Sequence, residues 1–254
     1  EGTSDVTFNV ALSNVPKGGS ATAVITVAGK DYDVAIGADG KGALTIANPN
    51  TEDVYKDASD LAATVKSVTG GGYSQVVTGA EGSAHIADTV GTTTASIGLA
   101  QHDNGVTATI SLEHAPQHDT QITYTVNGVE HTAMIKGGET STTADLGNLV
   151  ASNPYGTPTN VTAAVTAVDN NSANFEAVSN GSPTTASFTP VTVPTTASIT
   201  GVDTVEGTKD VTFNVELSNK PQPGTTATAV ITVAGTDYDA AIGADGNGAL
   251  TTAN

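Results

Sequence analysis

The side chains with chemistry to offer in this sequence are mainly carboxylates. Glu52, Asp53, Asp57 and Asp60 crowd one irregular stretch, Asn48 to Asp60, with Tyr55 among them. Asp88 sits in a linker-like run, Ala87-Asp88-Thr89-Val90, and Glu1 and Asp5 precede the first strand-like segment. Calcium takes about six to eight oxygen ligands, largely carboxylate and carbonyl, and a flexible acidic loop beside a linker Asp can supply them. Without a cation, clustered carboxylates repel and raise one another's pKa. The residues alone leave two readings open. One is a calcium group drawn from Asp88, Glu52, Asp53, Asp57, Asp5 and Glu1; the other is a solvated acidic pole.

Other chemistries find less support. His114 and His118 bracket Ala115-Pro116-Gln117 in a turn, and His131 stands apart, so no third zinc ligand falls at a convincing spacing. Ser and Asp are abundant, but no sharp nucleophile turn is present and no Ser/His/Asp set can be assembled. An enzyme is not expected. The 26 acids face 8 lysines and no arginine, for a net charge of -18. That balance argues against nucleic acid, whose phosphates demand basic side chains, and against an anionic membrane surface. Cysteine is absent, which excludes a disulfide-stapled scaffold. No apolar run reaches the about 18 residues of a membrane span. Glu1-Gly2-Thr3 is not a signal peptide, and because the chain starts and ends inside modules, any targeting signal is expected outside it.

The elements that must position these residues are strands. Thr93-Thr94-Ala95-Ser96-Ile97 returns as Thr195-Thr196-Ala197-Ser198-Ile199, an offset of 102 residues. Residues 1–48 align with 206–254 with ten substitutions and one insertion, Pro223. Hydrophobic positions mostly persist while charge drifts, as in Ser4 to Lys209 and Ala11 to Glu216, which fits duplicated scaffolding better than a specialised pocket. Val6 to Leu12 alternates with period two, the pattern of a half-buried strand. Gly37-Ala38-Asp39-Gly40 is a hairpin signal, with Asp-Gly supplying positive φ. Tyr73 to Val77 and Ser83 to Ile86 read as one interrupted final strand, as does Asn174 to Phe188, broken at Asn180-Gly181-Ser182-Pro183. No segment has helical periodicity.

About seven short strands per repeat, with turn signals every 8–12 residues, predict an all-β fold of tandem immunoglobulin-like Greek-key β-sandwiches. The expected division is 1–92, a module lacking its first strand; 93–194, a complete module; and 195–254, the first part of a third. Alternate loops of a sandwich lie at opposite poles. The loop Asn48–Asp60 should therefore face His114–Thr120, Lys136–Glu139 and Asp169–Ser172 across the Asp88 seam. The second seam, Thr189-Pro190-Val191-Thr192-Val193-Pro194, has no acid.

Several runs carry a family resemblance. These are Asp53-Val54-Tyr55-Lys56-Asp57-Ala58-Ser59-Asp60-Leu61, Thr64 to Tyr73, and Ala87-Asp88-Thr89-Val90 before Thr93-Thr94-Ala95-Ser96-Ile97. In the second repeat they are Thr123 to Gly128, Gly137-Gly138-Glu139-Thr140 and Asn174-Phe175-Glu176. As an ordered set at one period, they resemble the extender repeats of giant bacterial RTX adhesins secreted by type I systems, as in biofilm and ice-binding adhesins. The resemblance implies a structural spacer at the bacterial cell surface, outside the cell, with calcium stiffening the module junctions. Where that family often has a second junction Asp, this chain has Gly91. The expected partners are neighbouring modules of the same chain, with no nucleic acid and no membrane contact by this segment; the distal ligand is not specified. The alternative is a carbohydrate- or protein-binding adhesion module, for which Tyr32, Tyr55, Tyr73, Tyr124, Tyr155 and Tyr238 are the aromatic side chains to inspect.

Overall fold

The computed structural model describes residues 2 and 5–253, and these are almost entirely strand and turn. Alternation becomes structure directly. In β1 (Val6–Ala11) every second side chain is buried, and in β2 (Ala21–Val27) four alternate positions are fully inside. The first repeat adds β3 (Lys30–Ile36), β4 (Lys41–Ile46), β5 (Ser59–Gly70) and β6 (Gly82–Ile86). They form two sheets, β1-β4 and β3-β2-β5-β6. The turn Gly37–Gly40 carries the chain between them, with Gly40 at φ 77° and Asp39 Oδ1 accepting from the Lys41 amide at 3.1 Å. An L side chain is strained at that φ, which is why the Asp-Gly pair works there.

The middle repeat is the most complete. Its strands are β7 (Thr92–His102), β8 (Gly105–Leu112), β9 (Thr120–Val126), β10 (Val129–Ile135), β11 (Ser141–Asp145), β12 (Thr159–Val168), β13 (Ala177–Asn180) and β14 (Thr184–Phe188). One sheet runs β11-β8-β7-β13 and the other β10-β9-β12-β14. All pairings are antiparallel except β13 with β7, which is parallel. The last repeat holds β15 (Ala197–Gly201), β16 (Asp210–Leu217), β17 (Ala227–Val233), β18 (Thr236–Ile242) and β19 (Asn247–Ala253) in a single sheet, β15-β16-β19-β18-β17.

Among the described residues, three apolar clusters sit inside these sheets. The middle one has 17 buried residues, the first 12 and the last five. Each fully buried Val, Leu, Ile or Phe stabilises by about 1.5–3 kcal/mol before entropy is charged against it, so cohesion ranks middle, first, last. β15 is exposed at all five positions, as expected of a strand with no second sheet over it.

Two sequence expectations need correction. Tyr73–Val77 is not a strand; only Gly82–Ile86 is. In the middle repeat the matching segment is held by parallel pairing to β7, whereas among the described residues of the first repeat no strand lies beside Tyr73–Val77 to pair with it. Asn174–Phe188 is not one strand either. A single helical turn, α1 (Asn170–Ala173), precedes it, capped by Asp169, whose side chain accepts from the Asn171 amide. Asn174 then turns the chain at φ 60°. The break at Asn180–Pro183 is where the chain leaves one sheet and joins the other.

Candidate functional site at the module junctions

The acidic loop meets the second repeat through its backbone and its aromatic ring. Asp53 Oδ1 accepts from the Tyr55 amide at 2.7 Å, a local Asx turn that aims the ring outward. Residues 54–56 then run antiparallel to residues 174–176. The Lys56 amide donates to Asn174 O at 3.0 Å and the Glu176 amide to Val54 O at 2.9 Å, with Tyr55 opposite Phe175. The two rings stack with centroids 5.5 Å apart at 22°. Tyr55 Oη donates to the carbonyl of Ala115 at 2.6 Å, and burial pushes its phenol pKa up. Val54 and Tyr55 rest on the apolar cluster of the second repeat.

The linker is pinned from both sides. Thr89 donates its hydroxyl to Glu52, and the Gly91 amide donates to Glu176. A Cβ at Gly91 would lie 2.4 Å from the Asp53 carbonyl oxygen and 3.1 Å from Val54 Cα, so this close approach requires glycine. The absence of an Asp at this position therefore has a steric reason.

The six acids singled out in the sequence do not converge on one point. Among the described residues, no three His, Asp or Glu side chains gather as metal ligands. Glu52 holds Thr89, Asp53 holds its own turn, and Asp57 and Asp5 are exposed. Glu1 lies outside the described residues. Asp88 differs from these: its Oδ1 is buried without a hydrogen-bond partner, and so is Oε1 of Glu176. Glu176 was not among the sequence candidates. It lies 85 residues from Gly91 in the chain, and no spacing rule links the two.

The second seam is built more lightly. Asn153 Oδ1 accepts from the amides of Tyr155 at 3.0 Å and Thr157 at 3.2 Å. Tyr155 Oη donates to Lys220 O at 2.7 Å, while the residue stays 44% exposed. The linker is held by Val193 N to Asn153 O at 3.3 Å and by Asn219 Nδ2 to Pro194 O at 3.3 Å.

Several of the remaining chemistry-bearing residues have structural partners. His114 Nδ1 hydrogen-bonds Thr93 Oγ1 at 3.1 Å, and the His131 ring stacks on Tyr124. Tyr124 is core, Tyr32 carries the Lys30 ammonium 5.1 Å from its ring centre, and Tyr73 Oη donates to Asn14 O at 2.7 Å. No helix among the described residues is long and apolar enough to cross a membrane.

No protein-family model matches the sequence, and no curated protein matches it. Solved structures resemble it at low identity. One comes from a study of host-cell-surface retention of a 1.5-MDa bacterial ice-binding adhesin: 15% identity over 98% of this chain and 80% of that one, TM-score 0.29. A second is a tetra-tandem repeat in the extending region of a large adhesion protein, 16% identical over 97% of this chain and 61% of that one, TM-score 0.33. A third is a Ca2+-stabilised adhesin with which an Antarctic bacterium binds ice, 16% identical over 98% of this chain and 60% of that one, TM-score 0.23. At these identities and TM-scores neither a fold nor a residue role is carried over from them.

Proposed function

We propose that this chain is a structural extender segment of a bacterial cell-surface adhesin, working outside the cell to project a distal binding region. Its modules are 1–92, 93–194 and 195–254, and its partners are neighbouring modules of the same chain. The observation that carries this reading is the seam. At two places about one repeat apart, a loop of one module reaches over and bonds the next. A chain built to be long and stiff needs such joints, whereas an enzyme needs a cleft with poised groups.

Calcium belongs to this reading at the first seam. Asp88 and Glu176 each present a buried carboxylate oxygen without a partner, which suits a hard cation. Calcium takes about six to eight oxygens, so at either carboxylate carbonyls, water and neighbouring acids would supply the rest. Glu52, Asp53, Asp57 and Asp5 add negative charge at this pole and are, with Glu1, the candidate outer ligands. A bound cation would stabilise the folded joint by linkage.

Calcium titration calorimetry on the chain, with small-angle scattering of the same samples, tests this. The expected results are an extended rod and a binding event lost in Asp88→Asn and in Glu176→Gln. A compact, globular scattering profile would remove the spacer function. Calorimetry unchanged in both variants would remove the calcium assignment while leaving the spacer in place.

A further inference from the structure

We propose that successive modules are locked by a metal-independent tyrosine hook, Tyr55 at the first seam and Tyr155 at the second, each seated on the carbonyl that precedes a proline in the next module. This deepens the spacer reading and rests on it.

The two hooks are built alike. Each Tyr follows an Asx residue by two positions, and that residue's side chain accepts from the Tyr amide: Asp53 for Tyr55 at 2.7 Å and Asn153 for Tyr155 at 3.0 Å. Asp in one case and Asn in the other shows that the shared requirement is an acceptor oxygen, not a charge. Each ring ends in a hydroxyl that donates across the seam, to Ala115 O at 2.6 Å and to Lys220 O at 2.7 Å.

The receivers are also alike. Ala115 precedes Pro116 and Lys220 precedes Pro221. A residue before proline is restricted to extended conformations, so its carbonyl direction is set before the hook arrives. The receiver frame is a property of the module. In the second repeat the Gln117 amide donates to Ala173 O at 3.2 Å, beside Phe175. In the first repeat the Lys17 amide donates to Gly71 O at 2.8 Å, beside Tyr73, with buried Pro16 next to it. Tyr73 and Phe175 are 102 residues apart, the same offset that relates Thr93 to Thr195. An aromatic side chain and a pre-proline carbonyl therefore recur together at this pole.

The joint needs no ion because donor and acceptor are both neutral. The first hook also stacks on Phe175 and continues into backbone pairing, whereas the second, 44% exposed, has its one hydroxyl bond across the seam. The first seam is therefore the stiffer by its own contacts, with calcium an addition.

The chain has no cysteine, so paired spin labels can be placed cleanly. Lys41→Cys with Ser141→Cys spans the first seam, and Ser141→Cys with Thr236→Cys spans the second; all three positions are exposed. Distance distributions are read on the whole chain in chelator and in calcium. The expected result is a narrow distribution for the wild type in both conditions. Tyr55→Phe should broaden the first distribution alone and Tyr155→Phe the second alone, each raising the open population about two- to tenfold, the effect of one neutral hydrogen bond. Wild-type distributions narrow in both conditions and unchanged in both variants would overturn the hook and leave the spacer intact. Distributions narrow only in calcium would do the same. A wild type broad in both conditions would overturn hook and spacer together.

Discussion

Truncating Phe175 should damage the second module far more than truncating Tyr73 damages the first, although the two occupy the same repeat position. Phe175 is 0% exposed, enclosed by the middle cluster on one side and the Tyr55 ring on the other. Phe175→Ala leaves a closed cavity and removes a stack, and buried Phe→Ala changes cost about 3–5 kcal/mol. Against a module stability of about 5–15 kcal/mol, that is about a fifth of the total or more. Tyr73 is half-buried and lines an open groove of about 340 Å³ with Val10, Leu12, Val65 and Val68. Tyr73→Ala widens a space already open to solvent, at about 2 kcal/mol or less for lost area and one hydrogen bond. Amide hydrogen exchange on the whole chain separates the modules. Phe175→Ala should speed global-opening exchange in β8, β9 and β12 by about two to three and a half powers of ten, since each 1.4 kcal/mol is about tenfold. Tyr73→Ala should speed exchange in β2 and β5 by about one and a half powers of ten or less. Equal effects in the two modules, or unchanged exchange in β12 of Phe175→Ala, would refute the burial argument.

Three further outcomes are expected. Thr93→Val keeps the shape of a fully buried side chain but loses its bond to His114, so the urea midpoint of the second module should fall by the equivalent of about 1 kcal/mol. Hydrogen bonds from Lys136 and the Gly137 amide hold Asp119 below its ordinary value of 3.8, and hydrogen bonds from Lys66 and Thr26 do the same for Asp31. The stability these depressed carboxylates add is present above about pH 4 and lost as pH falls through their folded pKa values. Acid titration followed by circular dichroism should therefore show loss only below about pH 4, reduced in an Asp31→Asn, Asp119→Asn double variant. Lys209→Ser and Lys220→Val restore the residues of the first repeat at exposed positions and should shift thermal stability by less than about 0.5 kcal/mol, the second because Tyr155 uses the Lys220 carbonyl and not its side chain.

The sandwich fold was legible because alternation and Asp-Gly turns are local signals. The alternation of Val6–Leu12 needed no knowledge of its neighbours and became β1, Val6–Ala11. Tyr73–Val77 failed because a strand needs a partner, and its local pattern is silent about what lies beside it. At the seam, charge drew attention to the carboxylates around Tyr55, while the ring between them makes the contact. A signal for the hook was present in Asp53-Val54-Tyr55 and Asn153-Pro154-Tyr155, two Asx-x-Tyr triplets 100 residues apart. Glu176 could not be found this way, since its proximity to Gly91 is a product of module docking.

The parallel pairing of β13 with β7 decides how the middle module meets a pulling force. Tension arriving from the first module enters at Thr92, the start of β7; tension toward the third leaves after Phe188, the end of β14. Thr92–Ala95 lies alongside Ala177–Asn180 in the same direction, reinforced by Gly181 N to Ala95 O at 2.7 Å and by the Thr94–Ser179 hydroxyl bond at 3.1 Å. Pulling the N-terminal end of one parallel strand against the C-terminal end of the other slides them lengthwise. Every bond in the patch is then loaded at once, where an antiparallel hairpin pulled at its open end would lose bonds one at a time. Under such a load the module should resist extension along its length more than its stability to heat or denaturant implies, and Thr92–Ala95 should be the first segment to leave the sheet.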